Sequence, residues 1–95
     1  MQISYTTDAF ISLTQLVNFI ESTNTAGAGV RWLKRYELFL KATLNSPEHI
    51  RLCHNQTFNN LKLRCIYFND WLIAFSIKNE SILIEALLHK SRITD

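Results

Sequence analysis

The chain has 95 residues, of which 47% are hydrophobic and 19% charged. That is enough apolar content for one packed domain, residues 1–95, and too little length for a second. A chain of this size buries only about 60–65% of its unfolded surface, which excludes large enzyme scaffolds such as a dinucleotide-binding pair or a TIM barrel. Ten Lys and Arg against eight Asp and Glu leave a net charge of +2, too small to mark a nucleic-acid binder by charge alone.

Residues 2–6 read as a short strand, with Ile3 and Tyr5 on one face and Ser4 on the other. Thr7 or Asp8 then suits the cap of a helix, the acidic side chain meeting the positive end of the dipole. Phe10, Leu13, Leu16 or Val17, and Ile20 recur at helical spacing, and Ser22-Thr23-Asn24 forms a stop. A second helix is predicted over 26–44, its stripe made of Val30, Leu33, Tyr36 or Glu37, Leu40 and Leu44. It ends before Pro47, because the residue preceding a proline disfavours helical backbone. The short connection makes the pair an antiparallel hairpin.

Residues 49–60 are polar and irregular, a loop with at most one helical turn near Pro47. Three strands follow over 61–68, 71–78 and 81–89, all rich in β-branched and aromatic residues. Asn69-Asp70 and Asn79-Glu80 separate them at two-residue hairpin spacing. The run Ile82-Leu83-Ile84 marks a strand buried on both faces, hence a central one. The fold class is therefore α+β: β-α-α-β-β-β, a helical hairpin packed on a small, mostly antiparallel sheet.

Charge is uneven along the chain. The stretch 1–24 carries only Asp8 and Glu21, whereas 25–65 carries seven basic and two acidic side chains, so the middle of the chain is where an anionic or acidic partner would be attracted. Arg31, Lys34, Arg35 and Lys41 run along the second helix, as a solvated face or as a docking surface for an acidic partner. Trp32, Leu38 and Phe39 give that helix more apolar surface than one stripe needs, to be spent on core or on a partner groove. At the far end His89, Lys90 and Arg92 cluster after the last strand, suited to a phosphate or a developing negative charge. Lys62 and Arg64 share strand parity and could add to that patch.

Other motifs point away from chemistry. Ala26-Gly27-Ala28-Gly29 precedes a helix but lacks the preceding strand and the Lys-Ser or Lys-Thr of a phosphate loop. His49, Cys53 and His54, with Cys65 and His89, lack the paired spacing of a zinc site, so no metal is expected. Two cysteines make no disulfide scaffold, and Cys65 reads as a small buried apolar residue. No charged-then-apolar leader opens the chain and no run spans a bilayer, so a cytoplasmic location is expected. Without a leader, the glycosylation patterns at Asn55 and Asn79 are chance matches.

Ile3-Ser4-Tyr5-Thr6 before an acidic-capped helix, Arg31-Trp32-Leu33, Asn45-Ser46-Pro47-Glu48, Leu63-Arg64, Trp71-Leu72-Ile73-Ala74-Phe75 and Leu88-His89-Lys90-Ser91-Arg92 occur in that order. Together they make the chain resemble the RelE/ParE superfamily of toxins from bacterial type II toxin–antitoxin modules, over nearly its whole length. The resemblance implies growth inhibition and plasmid stabilisation, no cofactor, and a cognate antitoxin as partner in a hetero-oligomer. RelE-type members are ribosome-dependent mRNA endonucleases, and ParE-type members poison DNA gyrase without acting as nucleases. Nuclease members commonly carry Arg where this chain has Leu72, so the resemblance points to the ParE branch. There the expected target contacts are Arg64, His89, Lys90 and Arg92, and no residue is catalytic. Under the alternative, an mRNA endonuclease, His89 with Arg64 and Arg92 would form the catalytic set. Trp32, Leu38 and Phe39 are the expected antitoxin contacts.

Overall fold

A computed structural model describes residues 2–93. The described elements run β1 (Gln2–Tyr5), α1 (Thr7–Thr23), α2 (Ala28–Thr43), a 3₁₀ turn at Pro47–His49, α3 (Gln56–Asn60), β2 (Arg64–Phe68), β3 (Trp71–Lys78), β4 (Ser81–His89) and a second 3₁₀ turn at Lys90–Arg92. The class is α+β. One four-stranded sheet has the order β1-β4-β3-β2. β1 lies parallel to β4, with Gln2 opposite Ser81, and the other two pairings are antiparallel.

Local chemistry accounts for most boundaries. The cap of α1 is Thr6 rather than Thr7 or Asp8: its Oγ1 accepts from the Ala9 N–H at 3.1 Å. Both hairpins turn through left-handed backbone, Asn69 in the first and Asn79 with Glu80 in the second. The predicted start of β2 at residue 61 is corrected to Arg64. Leu61 closes the short helix α3, and Lys62 takes a φ of +61°, which breaks the strand before it begins. Lys62 therefore does not share a strand face with Arg64. Loop polarity hides α3 from a reading by pattern; its cap is the Asn55 side-chain oxygen Oδ1, accepting from the Phe58 N–H.

The sheet separates two apolar clusters. The larger joins both helices to one face through Leu13, Leu16, Trp32, Tyr36, Leu40, Ile73, Phe75, Ile82 and Ile84. The stripe of α2 is Gly29, Trp32, Tyr36 and Leu40, leading to Leu44; Tyr36, Leu40 and Leu44 lie where predicted, Leu33 packs at the edge of the core, and Val30 is off the stripe. Val30 is exposed instead. Trp32 stacks on Tyr36 at 5.2 Å, and the Tyr36 hydroxyl meets that of Tyr5 at 2.9 Å, so two aromatic residues with polar tips fit inside. Burial pushes both phenols upward from their ordinary value of 10.0. The smaller cluster lies on the other face, where residues 50–63 cover Leu72 and Ala74.

Two backbone devices set the end of the sheet and the spacing of the helices. In the β3–β4 pairing Ala74 faces Ala86 but Phe75 faces Ile84, so Glu85 is an extra residue, a β-bulge. It switches the alternation of β4. Ile82 and Ile84 before it and Leu87 after it all pack on the helix side, and His89 has the parity of Leu87. At the hairpin of helices, Gly29 lets α2 approach α1 so closely that a Cβ there would lie 2.7 Å from the Val17 carbonyl oxygen.

Candidate functional site

A cleft of about 370 Å³ opens between α1 and the end of the sheet. Ser12, Gln15, Leu16 and Phe19 form one wall, and Trp71, Leu87, Leu88 and His89 the other, with Ser91 and Arg92 at the lip. This is the small end of the range for ligand pockets. Phe19 is 63% exposed at its rim, a large ring held in water. The rings of Trp71 and His89, direct partners across β3 and β4, meet edge-on at 5.2 Å.

His89 is oriented by its own turn. The Ser91 N–H donates to His89 Nδ1 at 3.2 Å, and the Ser91 hydroxyl lies 2.9 Å from the same nitrogen. An Nδ1 that accepts a backbone N–H carries no proton, so the neutral ring keeps its proton on Nε2 and acts there as a donor. Arg92 adds a guanidinium to the same lip. An imidazole donor, a guanidinium and two aromatic surfaces together are chemically suited to an anion that lies beside a flat apolar group.

The other expected residues are dispersed. Lys90 turns to Asp70, Nζ to Oδ1 at 3.2 Å, while its N–H donates to the Asp70 carbonyl at 2.8 Å. Arg64 stands at the opposite end of β2, where its guanidinium donates to the carbonyls of Glu48 and Ile50. It thus braces the 3₁₀ turn and is not brought to the cleft. Leu72 is buried in the smaller cluster, on the face away from the cleft. Trp32, at 6% exposure, belongs to the core and offers a partner almost nothing, and Phe39 is half-buried against Phe68. Of that trio Leu38 alone is open, at 66%.

The glycine segment before α2 already holds an anion, its own Glu21. The Gly27 N–H donates to Oε2 at 2.8 Å and the Gly29 N–H to Oε1 at 2.9 Å. These two bonds, with Arg31 nearby, hold the carboxyl below its ordinary range. These amides at the start of the helix form an anion site filled from within by the chain's own carboxylate.

Cys65 is not the free apolar residue its strand position suggests. It forms a disulfide with Cys53, the Cα atoms 4.9 Å apart. Among the described residues no three His, Cys, Asp or Glu side chains gather to hold a metal ion, and no helix is long and apolar enough to cross a membrane. No protein-family model matches the chain, and no curated protein is similar to it.

Proposed function

We propose that the chain is the toxin of a type II toxin–antitoxin module, a ParE-like poison of DNA gyrase that acts by binding rather than by catalysis. The order β1-α1-α2-α3-β2-β3-β4 supports this reading, with its helical hairpin on one face and the basic cluster after β4. One observation carries the choice of binding over cleavage: His89 Nδ1 accepts from the Ser91 backbone, leaving an Nε2–H donor. A ring in that state presents to the cleft an Nε2–H that donates to an anion, rather than an Nε2 lone pair that takes a proton from an attacking hydroxyl. Arg64 and Lys90 are engaged elsewhere, which leaves Arg92 to supply a guanidinium at the cleft. His89 and Arg92 then grip the target, with Trp71 and Phe19 beside them. The antitoxin covers an exposed helical face that includes Leu38. The complex works in the cytoplasm without a cofactor.

The test is pulse-labelling of DNA and protein synthesis after induction in a bacterial host, with a His89→Ala, Arg92→Ala double variant alongside. The gyrase reading requires DNA synthesis to fail first and the double variant to lose growth arrest. Protein synthesis collapsing within minutes, while DNA labelling continues, would replace it with the mRNA-endonuclease reading.

A further inference from the structure

The disulfide sits where it can govern the cleft from the other face of the sheet. Cys53 is fully buried and Cys65, on β2, half-buried. Their bond ties residues 51–63 over Leu72 and Ala74 in the smaller cluster, where Leu63 and Phe58 also pack. The described backbone ties of that segment to β2 are weak. α3 contains no fully buried residue, the bridge between Leu52 and Arg64 is isolated, and the Cys65 N–H reaches the Arg51 carbonyl only at 3.4 Å. None of residues 51–63 belongs to the larger core, so the segment can loosen while the helices stay packed.

Ile93 packs in the same cluster. It directly follows Arg92, and its N–H closes the last 3₁₀ turn on the Lys90 carbonyl at 3.3 Å. The segment stapled by sulfur and the turn that places Ser91 and Arg92 at the cleft thus share one small apolar seat.

We propose that the Cys53–Cys65 bond is a reversible redox lock on this cleft, closed when oxidised and released by thiols of the glutathione class. A thiolate attacks the Cys65 sulfur, the more accessible of the two residues, and the S–S electron pair leaves with Cys53, which takes up a proton. A second thiolate attacks the mixed disulfide and frees Cys65, which is protonated in turn. Two external thiols are oxidised to one disulfide, and the protein's disulfide is reduced to two thiols. Residues 51–63 then lift, Ile93 loses its seat, and the turn bearing Arg92 is no longer fixed. Such a lock goes beyond the toxin reading and operates whatever the target is.

The experiment is residue-resolved amide exchange by NMR on the full chain, oxidised in a glutathione buffer and then reduced with dithiothreitol, intact mass reporting the 2 Da change expected for two added hydrogens. With a sequence separation of 12 between the cysteines, reduction should speed exchange over 51–63 by about a hundredfold. The amides of Ser91 and Ile93 should accelerate with them, and those of α1 and α2 should not. A Cys53→Ser, Cys65→Ser variant should show the reduced pattern without reductant. Ile93→Ala should free the Ser91 amide while 51–63 stays protected. The proposal falls if Ser91 and Ile93 exchange at the same rate in both redox states, or if Ile93→Ala leaves the Ser91 amide protected. It falls equally if reduction unfolds α1 and α2 together, or if no oxidised species forms in the glutathione buffer.

Discussion

Gly29→Ala sets two physical rules against each other at one atom. Helix propensity alone favours alanine by at most about 1 kcal/mol near the start of α2. The packing of α2 on α1 says the reverse. The new methyl would lie 2.7 Å from the Val17 carbonyl oxygen and 3.2 Å from both Cβ and Oε1 of Glu21. The first contact is with backbone inside α1, which cannot turn aside as a flexible side chain does. Overpacking of this kind costs about 1–3 kcal/mol, so the net change is a loss of about 1–2 kcal/mol after the propensity gain. For a domain of this size that is a fall in Tm of roughly 5–15 °C. Thermal melts followed by circular dichroism read it directly, with urea midpoints as a second measure. Ala42→Gly, at an exposed site on α2, calibrates propensity alone and should cost about 1 kcal/mol. A Gly29→Ala protein that melts at or above the parent temperature would refute the close approach of the two helices.

Tyr36→Phe removes one end of the 2.9 Å hydroxyl pair and should cost about 1 kcal/mol in urea melts. Adding Tyr5→Phe should cost little more, because no unpaired partner is then left, and strictly additive losses would argue against the pair. Both phenols are raised from 10.0, so their contribution is complete below pH 10 and is lost as the pH climbs past it. Glu21 behaves in the opposite sense. Its carboxyl is lowered from 4.5 by the Gly27 and Gly29 amides, so its stabilisation is present above that value and fades as the pH falls through the lowered one. Glu21→Gln should therefore flatten the acid limb of Tm against pH, and an unchanged limb would remove Glu21 from the account. Trp32→Ala empties a core site and should cost about 3–5 kcal/mol, so loss of antitoxin binding by that variant reports unfolding. Leu38→Lys, at an open position, should leave Tm within a few degrees and weaken antitoxin binding in a titration if that face is the one covered.

Much of this architecture is legible in the sequence because local chemistry and global fold agree. The hairpins at Asn69 and Asn79 announce themselves by residue type, and β3 and β4 by their β-branched and aromatic runs. The face of α2 is easily misread because Val30 and Leu33 look more apolar than Gly29 and Tyr36. Glycine is chosen there for close approach, and Tyr36 is admitted only because Tyr5 satisfies its hydroxyl. The disulfide has no local signature. Its partners lie twelve residues apart and meet only because residues 50–63 fold back over the sheet. In the cleft, the cluster of His89 and Arg92 is visible from adjacency along the chain. Dispersal of Lys90 to Asp70 and of Arg64 to the Glu48 carbonyl is not, since both depend on where carbonyls and carboxylates end up in space. The bulge at Glu85 is equally silent, because an apolar run reads the same with or without an inserted residue.

The parallel pairing of β1 with β4 has a consequence for the order in which the molecule becomes itself. Gln2 is made early, and its partner Ser81 is translated only after both helices and two further strands. Until β4 arrives, β1 has no neighbour, and Leu13 and Leu16 of α1 face no finished sheet. The cleft is subject to the same wait, since one wall is α1 and the other is the end of β4. A nascent chain is therefore inert at this site, and its apolar helical hairpin is the part exposed to chaperones in the interval. Long-range closure of this kind also slows folding relative to a local helix bundle. In this chain the cleft forms only once β4 has been synthesised.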